Sequence, residues 1–226
     1  MKVGIIGAGR MGKKLSERLS GRHEVFLYDA DPAAAQATAL ALGLRASTDL
    51  AGESADALVL AVPDTAVKAC VEQLRQQQTR AVLFSVATNI SREMLAEMAG
   101  TSLRALNVKI IGHAGEMGRG GQPVIVVDAI DQELAAVAAE LFAAVGSVVV
   151  ANADVVQTIN VIATEQALRA AVLLEQALRT AGIENWEMIH GALSVVAPGV
   201  IKAYAEDDLG PFARKIIAAL REEELP

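Results

Sequence analysis

The first twelve residues constrain the fold more than any other part of the chain. A short apolar run, Val3-Gly4-Ile5-Ile6, leads directly into a glycine motif, Gly7-Ala8-Gly9-Arg10-Met11-Gly12. A helical pattern follows the motif, and seventeen residues after Gly12 an acid, Asp29, ends a second apolar run. A glycine triplet alone is weak evidence, because such triplets recur in loops by chance. The order of strand, glycines, helix, strand and acid is typical of a βαβ unit that binds a dinucleotide.

Each glycine of this motif has a physical task in such a unit. Gly7 permits the tight turn, Gly9 leaves space for a pyrophosphate, and Gly12 lets the helix pack closely on the strand. The free backbone N–H groups around Arg10 and Met11, together with the helix dipole, face the phosphate oxygens. The motif therefore predicts a diphosphate at the start of the first helix.

Asp29 predicts which dinucleotide is bound. Its carboxylate can accept hydrogen bonds from both hydroxyls of the adenosine ribose, and it would repel a 2′-phosphate. The sequence therefore favours NAD(H), with NADP(H) as the second choice.

Composition excludes several other classes of function. Aromatic residues make up only 3% of the 226 residues, and the formal net charge is −7. Stacking on bases and binding to a phosphate backbone or an anionic membrane surface are both disfavoured. The three histidines and one cysteine fit no metal-ligand spacing, and Cys70, in a helical pattern, is expected to be a small core residue. No targeting segment or long apolar run is evident, so we expect a cytoplasmic protein with no nucleic-acid or membrane partner.

Strand and helix patterns alternate through the first two thirds of the chain and then stop near Ala151. Repeated strand–helix units predict right-handed crossovers and a doubly wound parallel sheet, a Rossmann domain. The remaining segment is entirely helical in pattern. We therefore predict an α/β dinucleotide-binding domain over residues 1–151 and a small all-helical domain over residues 152–226.

The carboxyl edge of such a sheet is where ligands bind. The segments that follow three of the strands there, Ala61–Asp64, Ala87–Asn89 and Gly112–Gly115, are expected to surround the nicotinamide. The predicted cofactor-binding residues are Gly7, Ala8, Gly9, Arg10, Met11, Gly12, Asp29, Ala61, Val62, Pro63 and Ala87.

The long helix predicted from Asp154 to about Thr180 is apolar nearly all round. Its apolar side chains exceed what one face of a sheet can cover. The same region of a second subunit is the expected cover, so the helical domain predicts a homodimer.

These residues resemble a superfamily that contains pyrroline-5-carboxylate reductases, β-hydroxyacid dehydrogenases and F420-dependent NADP oxidoreductases, which are Rossmann proteins of the 6-phosphogluconate dehydrogenase type. The resemblance rests on the segments Ile6–Gly12, Ala61-Val62-Pro63, Ser85-Val86-Ala87 and Val108–Ile111. It implies a dimeric NAD(P)-dependent oxidoreductase whose helices pair between subunits.

The chain departs from the family patterns at the catalytic positions. The P-N-T-P segment of pyrroline-5-carboxylate reductases is replaced by Gly112-His113-Ala114-Gly115, and their S-G-S-G-P-A-Y entry to the long helix is absent. The β-hydroxyacid dehydrogenases carry a catalytic lysine on that helix, but this chain has no lysine between Lys109 and Lys202. Neither family's reaction can therefore be transferred.

His113 is the predicted acid/base residue, because it follows a strand end, lies between glycines and is a histidine, the residue type most often used as a general acid or base. The alternative is a loop histidine that only makes hydrogen bonds. Lys109, on the preceding strand, is expected to be solvated or ion-paired. The five glycines from Gly112 to Gly121 could form a lid that orders on binding, or only a strand connection.

Gln157 and Asn160, with Thr164, share one face of the long helix. They could hold a substrate against the nicotinamide, and we take Gln157 and Asn160 as candidate catalytic residues. Hydrogen bonding between helices of a dimer is an equal alternative.

The leading function is an NAD(H)-dependent oxidoreductase that transfers hydride to or from a small polar carbonyl, hydroxyl or imine substrate. One alternative is an imine reductase similar to pyrroline-5-carboxylate reductase. The other is a dinucleotide-binding sensor without turnover, because a fold alone does not determine function.

Overall fold

A computed structural model describes residues 1–51 and 54–223 of the chain. Its centre is an eight-stranded sheet of β1 (Lys2–Ile6), β2 (Glu24–Tyr28), β3 (Arg45–Ala46), β4 (Ala57–Leu60), β5 (Val82–Ser85), β6 (Ala105–Ile111), β7 (Val124–Asp128) and β8 (Ser147–Ala151). The order across the sheet is β3-β2-β1-β4-β5-β6-β7-β8. The six helices that connect these strands are α1 (Arg10–Leu19), α2 (Pro32–Leu42), α3 (Asp64–Gln76), α4 (Arg92–Ala99), α5 (Ala114–Gly118) and α6 (Gln132–Phe142).

The first six strands are parallel and follow the spatial order 3-2-1-4-5-6 that is typical of dinucleotide-binding domains. The predicted α/β fold is confirmed. The direction of β7 differs from the expected parallel sheet, since β7 runs antiparallel to β6 and β8 runs parallel to β7. The physical reason is the segment between β6 and β7. It contains only the five-residue helix α5, which spans about 7.5 Å and cannot carry the chain back along β6, about 23 Å long, to start a parallel strand.

Helices cover both faces of the sheet. Apolar side chains of α1, α2 and α6 pack on one face, and those of α3 and α4 pack on the other. Four-residue strands such as β4 are buried along their whole length, which explains their continuous apolar sequence. The packing leaves the carboxyl edge of the parallel strands free for loops that carry polar side chains.

The chain divides into two compact units, Met1–Val161 and Ile162–Pro226. The division falls within the helix α7 (Val155–Thr180), beyond the predicted domain boundary at residue 151. The first turn of α7 belongs to the first unit because Val156 packs on Val126 of β7.

The second unit contains the rest of α7 and the helices α8 (Trp186–Gly191), α9 (Ala197–Ala205) and α10 (Pro211–Glu223). A π-helical stretch, Ala192–Val196, joins α8 to α9 without a break. Pro198-Gly199 would ordinarily end a helix, but the helical backbone continues through both residues.

Among the described residues, the stretch Trp186–Ala205 is long and apolar enough to cross a membrane by length and composition alone. It is not a run of consecutive apolar residues, since it contains Glu187, His190 and Lys202. It is weak evidence for a membrane, because apolar helices in other settings meet the same criteria.

Candidate functional site

A cleft of about 380 Å³ opens at the carboxyl ends of β1 and β4. β2 and β3 lie on one side of β1, and the chain then crosses to β4 on the other side, so the strand order reverses at this point. Open α/β sheets bind their ligands at such points. The cleft is lined by six of the predicted cofactor-binding residues, which are Gly7, Gly9, Asp29, Ala61, Val62 and Pro63.

The glycines at this cleft divide into two kinds. Gly7 has a φ of +111°, and a Cβ on it would lie 2.5 Å from the carbonyl oxygen of Ala61. A Cβ on Gly12 would lie 1.8 Å from the carbonyl oxygen of Gly7, so α1 reaches the strand only because this residue has no side chain. A Cβ on Gly9, in contrast, would meet no atom within 4 Å. The protein itself therefore needs Gly7 and Gly12, whereas Gly9 borders open space.

The first turn of α1 faces this open space without a side-chain cap. Gly9 is the N-cap residue, and no side chain accepts a hydrogen bond from the first N–H groups of the helix. Unsatisfied N–H groups at a helix N-terminus, with the positive end of the helix dipole, favour an anion. Arg10 is exposed and Met11 is half-buried in the same turn. The local geometry fits a diphosphate.

Asp29 lies directly after β2 and anchors the glycine loop. One carboxylate oxygen accepts a hydrogen bond from the backbone N–H of Ala8 at 2.7 Å, and the other accepts from that of Asp31 at 2.9 Å. The carbonyl oxygen of Tyr28 accepts from the N–H of Gly7 at 2.8 Å. A carboxylate has about four acceptor sites, so Asp29 keeps capacity for the hydroxyls of a ribose. None of the described residues that line the cleft is a lysine, arginine or histidine.

Cys70 also lines the cleft, through α3. It is half-buried, and burial, followed by the nearby charge of Asp29, raises the pKa of its thiol. The expectation of a core residue is therefore only half right, because one side of Cys70 borders the place proposed for the cofactor.

Lys109 is the residue that sequence reasoning misjudged. It was expected to be solvated or ion-paired, but it is only 1% exposed. Its Nζ donates hydrogen bonds to the carbonyl oxygen of Ala87 and, at 2.7 Å, to that of Ile90, both in the turn after β5. Burial lowers its pKa from 10.5 to about 8, although the charges of Asp154, Asp64 and Asp128 act in the opposite direction. A lysine two residues before a strand end, in an otherwise apolar run, was the available signal.

A second polar group adjoins the same turn. Arg92, the first residue of α4, forms two contacts with the buried carboxylate of Asp128, at 3.1 Å from Nε and 3.0 Å from Nη2. Its backbone N–H donates to the carboxylate of Asp154 at 3.2 Å, and its Nη2 contacts Asn152 at 3.4 Å. These contacts join the start of α4 to the end of β7 and to the loop before α7.

The segment after β6 is held against α1. His113, the N-cap residue of α5, is exposed. The guanidinium of Arg18 donates to the carbonyl oxygens of Met117 at 2.9 Å, Gly121 at 2.7 Å and Val145 at 2.5 Å, and to the side chain of Gln122 at 3.1 Å. These contacts favour the alternative of a fixed connection over that of a lid that orders only on binding.

The two candidates on α7 have different surroundings. The side-chain amide of Asn160 donates to the carbonyl oxygen of Ile110 in β6 at 3.1 Å. Gln157 is exposed. Asn160 therefore ties α7 to the strand that precedes His113, whereas Gln157 is free to reach solvent or a ligand.

Comparison with known proteins agrees with this geometry. Residues 2–89 match the family model described as NADP oxidoreductase coenzyme F420-dependent. No curated protein sequence matches the chain.

Solved structures resemble the chain over nearly its whole length. A pyrroline-5-carboxylate reductase from Coxiella burnetii has a TM-score of 0.74 at 15% identity, covering 99% of this chain and 91% of that one. A 1-pyrroline-5-carboxylate reductase from Streptococcus pyogenes has a TM-score of 0.73 at 22% identity, covering 99% and 90%. A 3-hydroxyisobutyrate dehydrogenase from Mycobacterium tuberculosis has a TM-score of 0.62 at 18% identity, covering 84% and 70%.

At identities of 15–22% these solved structures support the fold alone. The resemblance to NADP oxidoreductases rests on the match of residues 2–89 to the family model. The predicted resemblance to these oxidoreductases is confirmed. The matched residues span β1 to β5 of the sheet.

Proposed function

We propose that this protein is an NAD(H)-dependent oxidoreductase that transfers hydride to or from a small polar carbonyl, hydroxyl or imine substrate. The observation that carries the proposal is the open space at Gly9, beside an uncapped helix N-terminus and within reach of a carboxylate. The cofactor would supply the hydride. The chain's own residues would bind the diphosphate through the first turn of α1 and the adenosine ribose through Asp29.

The preference for NAD(H) rests on Asp29 and runs against the description of the matched family, which names NADP. A carboxylate repels a 2′-phosphate, and the described lining of the cleft contains no cation that would offset this repulsion. Asp29 is also held in place by two backbone N–H groups. Charge complementarity therefore favours the unphosphorylated ribose.

The chemistry beside the nicotinamide is assigned to His113, Asn160 and Gln157. His113 would hold or release the proton that accompanies hydride transfer, since it is exposed beyond the end of β6. Asn160 and Gln157 would orient the substrate. An imine reductase is supported by the likeness to pyrroline-5-carboxylate reductases, because hydride transfer to an imine needs less help from an acid.

The helical unit supports a homodimer. Its side chains Leu168, Val172 and Leu173 on α7 are each more than half exposed within a single chain. An apolar surface of this kind is typical of a subunit interface. A cytoplasmic location remains a prediction from composition.

The test begins with fluorescence titration of the protein with NADH and NADPH. We expect tighter binding of NADH, and Asp29→Asn should narrow or reverse the preference because it removes the charge. Asp31→Asn is the matched control, since asparagine caps α2 as well as aspartate does. A clear preference of the wild type for NADPH would overturn the assignment of NAD(H).

Turnover is tested by following NADH oxidation with small keto acids and cyclic imines. His113→Ala should lower kcat by about 100-fold or more if His113 supplies the proton. The exposed His190, in the second unit, provides the control variant His190→Ala. Unchanged turnover in His113→Ala would reject its role, and tight binding without any turnover would support the sensor alternative.

A further inference from the structure

We infer that Lys109 is a positioning residue for the nicotinamide half of the cofactor. Its ammonium holds the turn of residues 87–90 against the sheet, and this inference rests on the function proposed above. The turn follows β5, and Lys109 reaches it from β6, the neighbouring strand.

The location of the turn follows from the sheet order. Asp29 places the adenosine ribose beyond β2, and the start of α1 places the diphosphate at β1. The other half of an extended dinucleotide must then lie on the opposite side of β1, over β4 and β5. The turn of residues 87–90 is the wall that it meets there.

Side chains of β6 hold the turn of residues 87–90 through hydrogen bonds to its backbone carbonyl groups. Lys109 donates to the carbonyl oxygens of Ala87 and Ile90, and the side-chain amide of Asn107 donates to Ile90 as well, at 3.0 Å. Asn107 and Lys109 are two residues apart on β6 and therefore share one face of the sheet. Ala87 and Ile90, whose carbonyl groups accept these hydrogen bonds, are buried. Between them, Thr88 is half-buried and Asn89 is exposed.

The turn is also held at its exposed side. The side-chain amide of Asn89 donates to Asp64 at 2.6 Å, which ties the turn to the first residue of α3. Asp64 is the first residue of α3 and does not cap it, so its carboxylate is available to Asn89. The turn after β5 and the start of α3, a helix that lines the cleft, are thus held together.

Burying the charged ammonium of Lys109 costs free energy, so its contacts have to explain why a lysine occupies this position. The charged groups that face Lys109 are Asp64 on α3, Asp128 on β7 and Asp154 before α7, with Arg92 of α4 shared between the last two. The ammonium donates its hydrogen bonds to the backbone carbonyl groups of Ala87 and Ile90 rather than to these carboxylates. A lysine that only balanced charge would need no such bonds, so its geometry points to the turn.

The experiment compares wild type, Lys109→Met and the control Lys68→Met. Methionine keeps the length of the stem but removes the donors, and Lys68 is an exposed lysine on α3. In Lys109→Met, backbone amide exchange of residues 87–91 should become at least tenfold faster, with exchange in β1 and β4 unchanged. The affinity for NADH should stay within threefold, but the fluorescence gain of bound NADH should fall by half or more. Lys68→Met should match wild type in all three measurements.

The inference is overturned if exchange in residues 87–91 and NADH fluorescence both match the wild type. A loss of NADH affinity above tenfold also contradicts it, because Lys109 would then support the whole cleft. If Lys109→Met does not fold, a measurement on the wild-type protein tests the inference instead. The ammonium protons of Lys109 should exchange slowly in nitrogen-15 spectra, and rapid exchange like that of Lys68 rejects the inference. A wild type that binds no dinucleotide would instead be a failure of the proposed function.

Discussion

The two glycines at the start of α1 allow the cofactor site and the fold to be tested separately. Gly9→Ala and Gly12→Ala add the same methyl group three residues apart. At Gly9 the methyl enters open space, and the backbone (φ −70°, ψ −175°) suits any residue. At Gly12 it would lie 1.8 Å from the carbonyl oxygen of Gly7. The first substitution should therefore affect the ligand, and the second should affect the protein.

The expected free energies follow from these environments. For Gly9→Ala, the reduced entropy of the unfolded chain stabilises by about 0.4–1 kcal/mol, and the poorer N-cap costs a similar amount. The free energy of unfolding should therefore change by less than about 1 kcal/mol. For Gly12→Ala, helix and strand backbones must move apart, because no flexible side chain can yield. Overpacking of this kind costs about 3 kcal/mol or more, which lowers Tm by roughly 6–12 °C in a chain of this size.

The assay is thermal unfolding with and without NADH at about 100 times its Kd. A ligand at that concentration stabilises the wild type by about 2.7 kcal/mol, or roughly 5–10 °C. Gly9→Ala should unfold near the wild-type temperature without NADH but lose half or more of this gain, because its methyl group occupies the space of the diphosphate. A Kd increase of at least about tenfold corresponds to 1.4 kcal/mol. Wild-type NADH binding by Gly9→Ala would refute the placement of the diphosphate.

Three further predictions address the surroundings of the cleft. Because burial lowers the pKa of Lys109 to about 8, the folded state loses its proton before the unfolded state does. Between pH 8 and the ordinary pKa of 10.5, the free energy of unfolding of the wild type should therefore rise relative to that of Lys109→Met by on the order of 3 kcal/mol. Urea unfolding of both proteins across that pH range measures the difference. A difference that does not change with pH would contradict the burial of a charged lysine. Arg18→Met should destabilise by on the order of 3 kcal/mol, because one guanidinium serves three carbonyl groups and an amide, whereas the exposed Arg22→Met should change stability by less than about 0.5 kcal/mol in the same assay. Alkylation of Cys70, the only cysteine, should slow when NADH is bound, as followed by mass spectrometry, and an unchanged rate would place the cofactor elsewhere.

The glycine loop and Asp29 were predictable because their geometry is local. Gly7, Gly9 and Gly12 lie within one turn of chain, and Asp29 follows one strand later, so spacing along the sequence already brings them together. The apolar run Ala57–Leu60 is likewise typical of a strand covered on both faces, and all four of its residues are buried in β4. Patterns with a period of two or 3.6 residues carry this information without any knowledge of distant contacts.

The surroundings of Lys109 were not predictable in the same way. Ala87, Asp128 and Asp154 approach it from distant parts of the chain, and hydrogen bonds to backbone carbonyl groups leave no pattern in side-chain types. The direction of β7 and the attachment of the glycine segment by Arg18 also depend on contacts far apart in sequence. By itself, the sequence determined the helix start, its glycines and the adjoining carboxylate, because they depend on local backbone geometry. Tertiary structure alone decided which polar groups are buried around Lys109, because burial depends on what the rest of the chain packs above them.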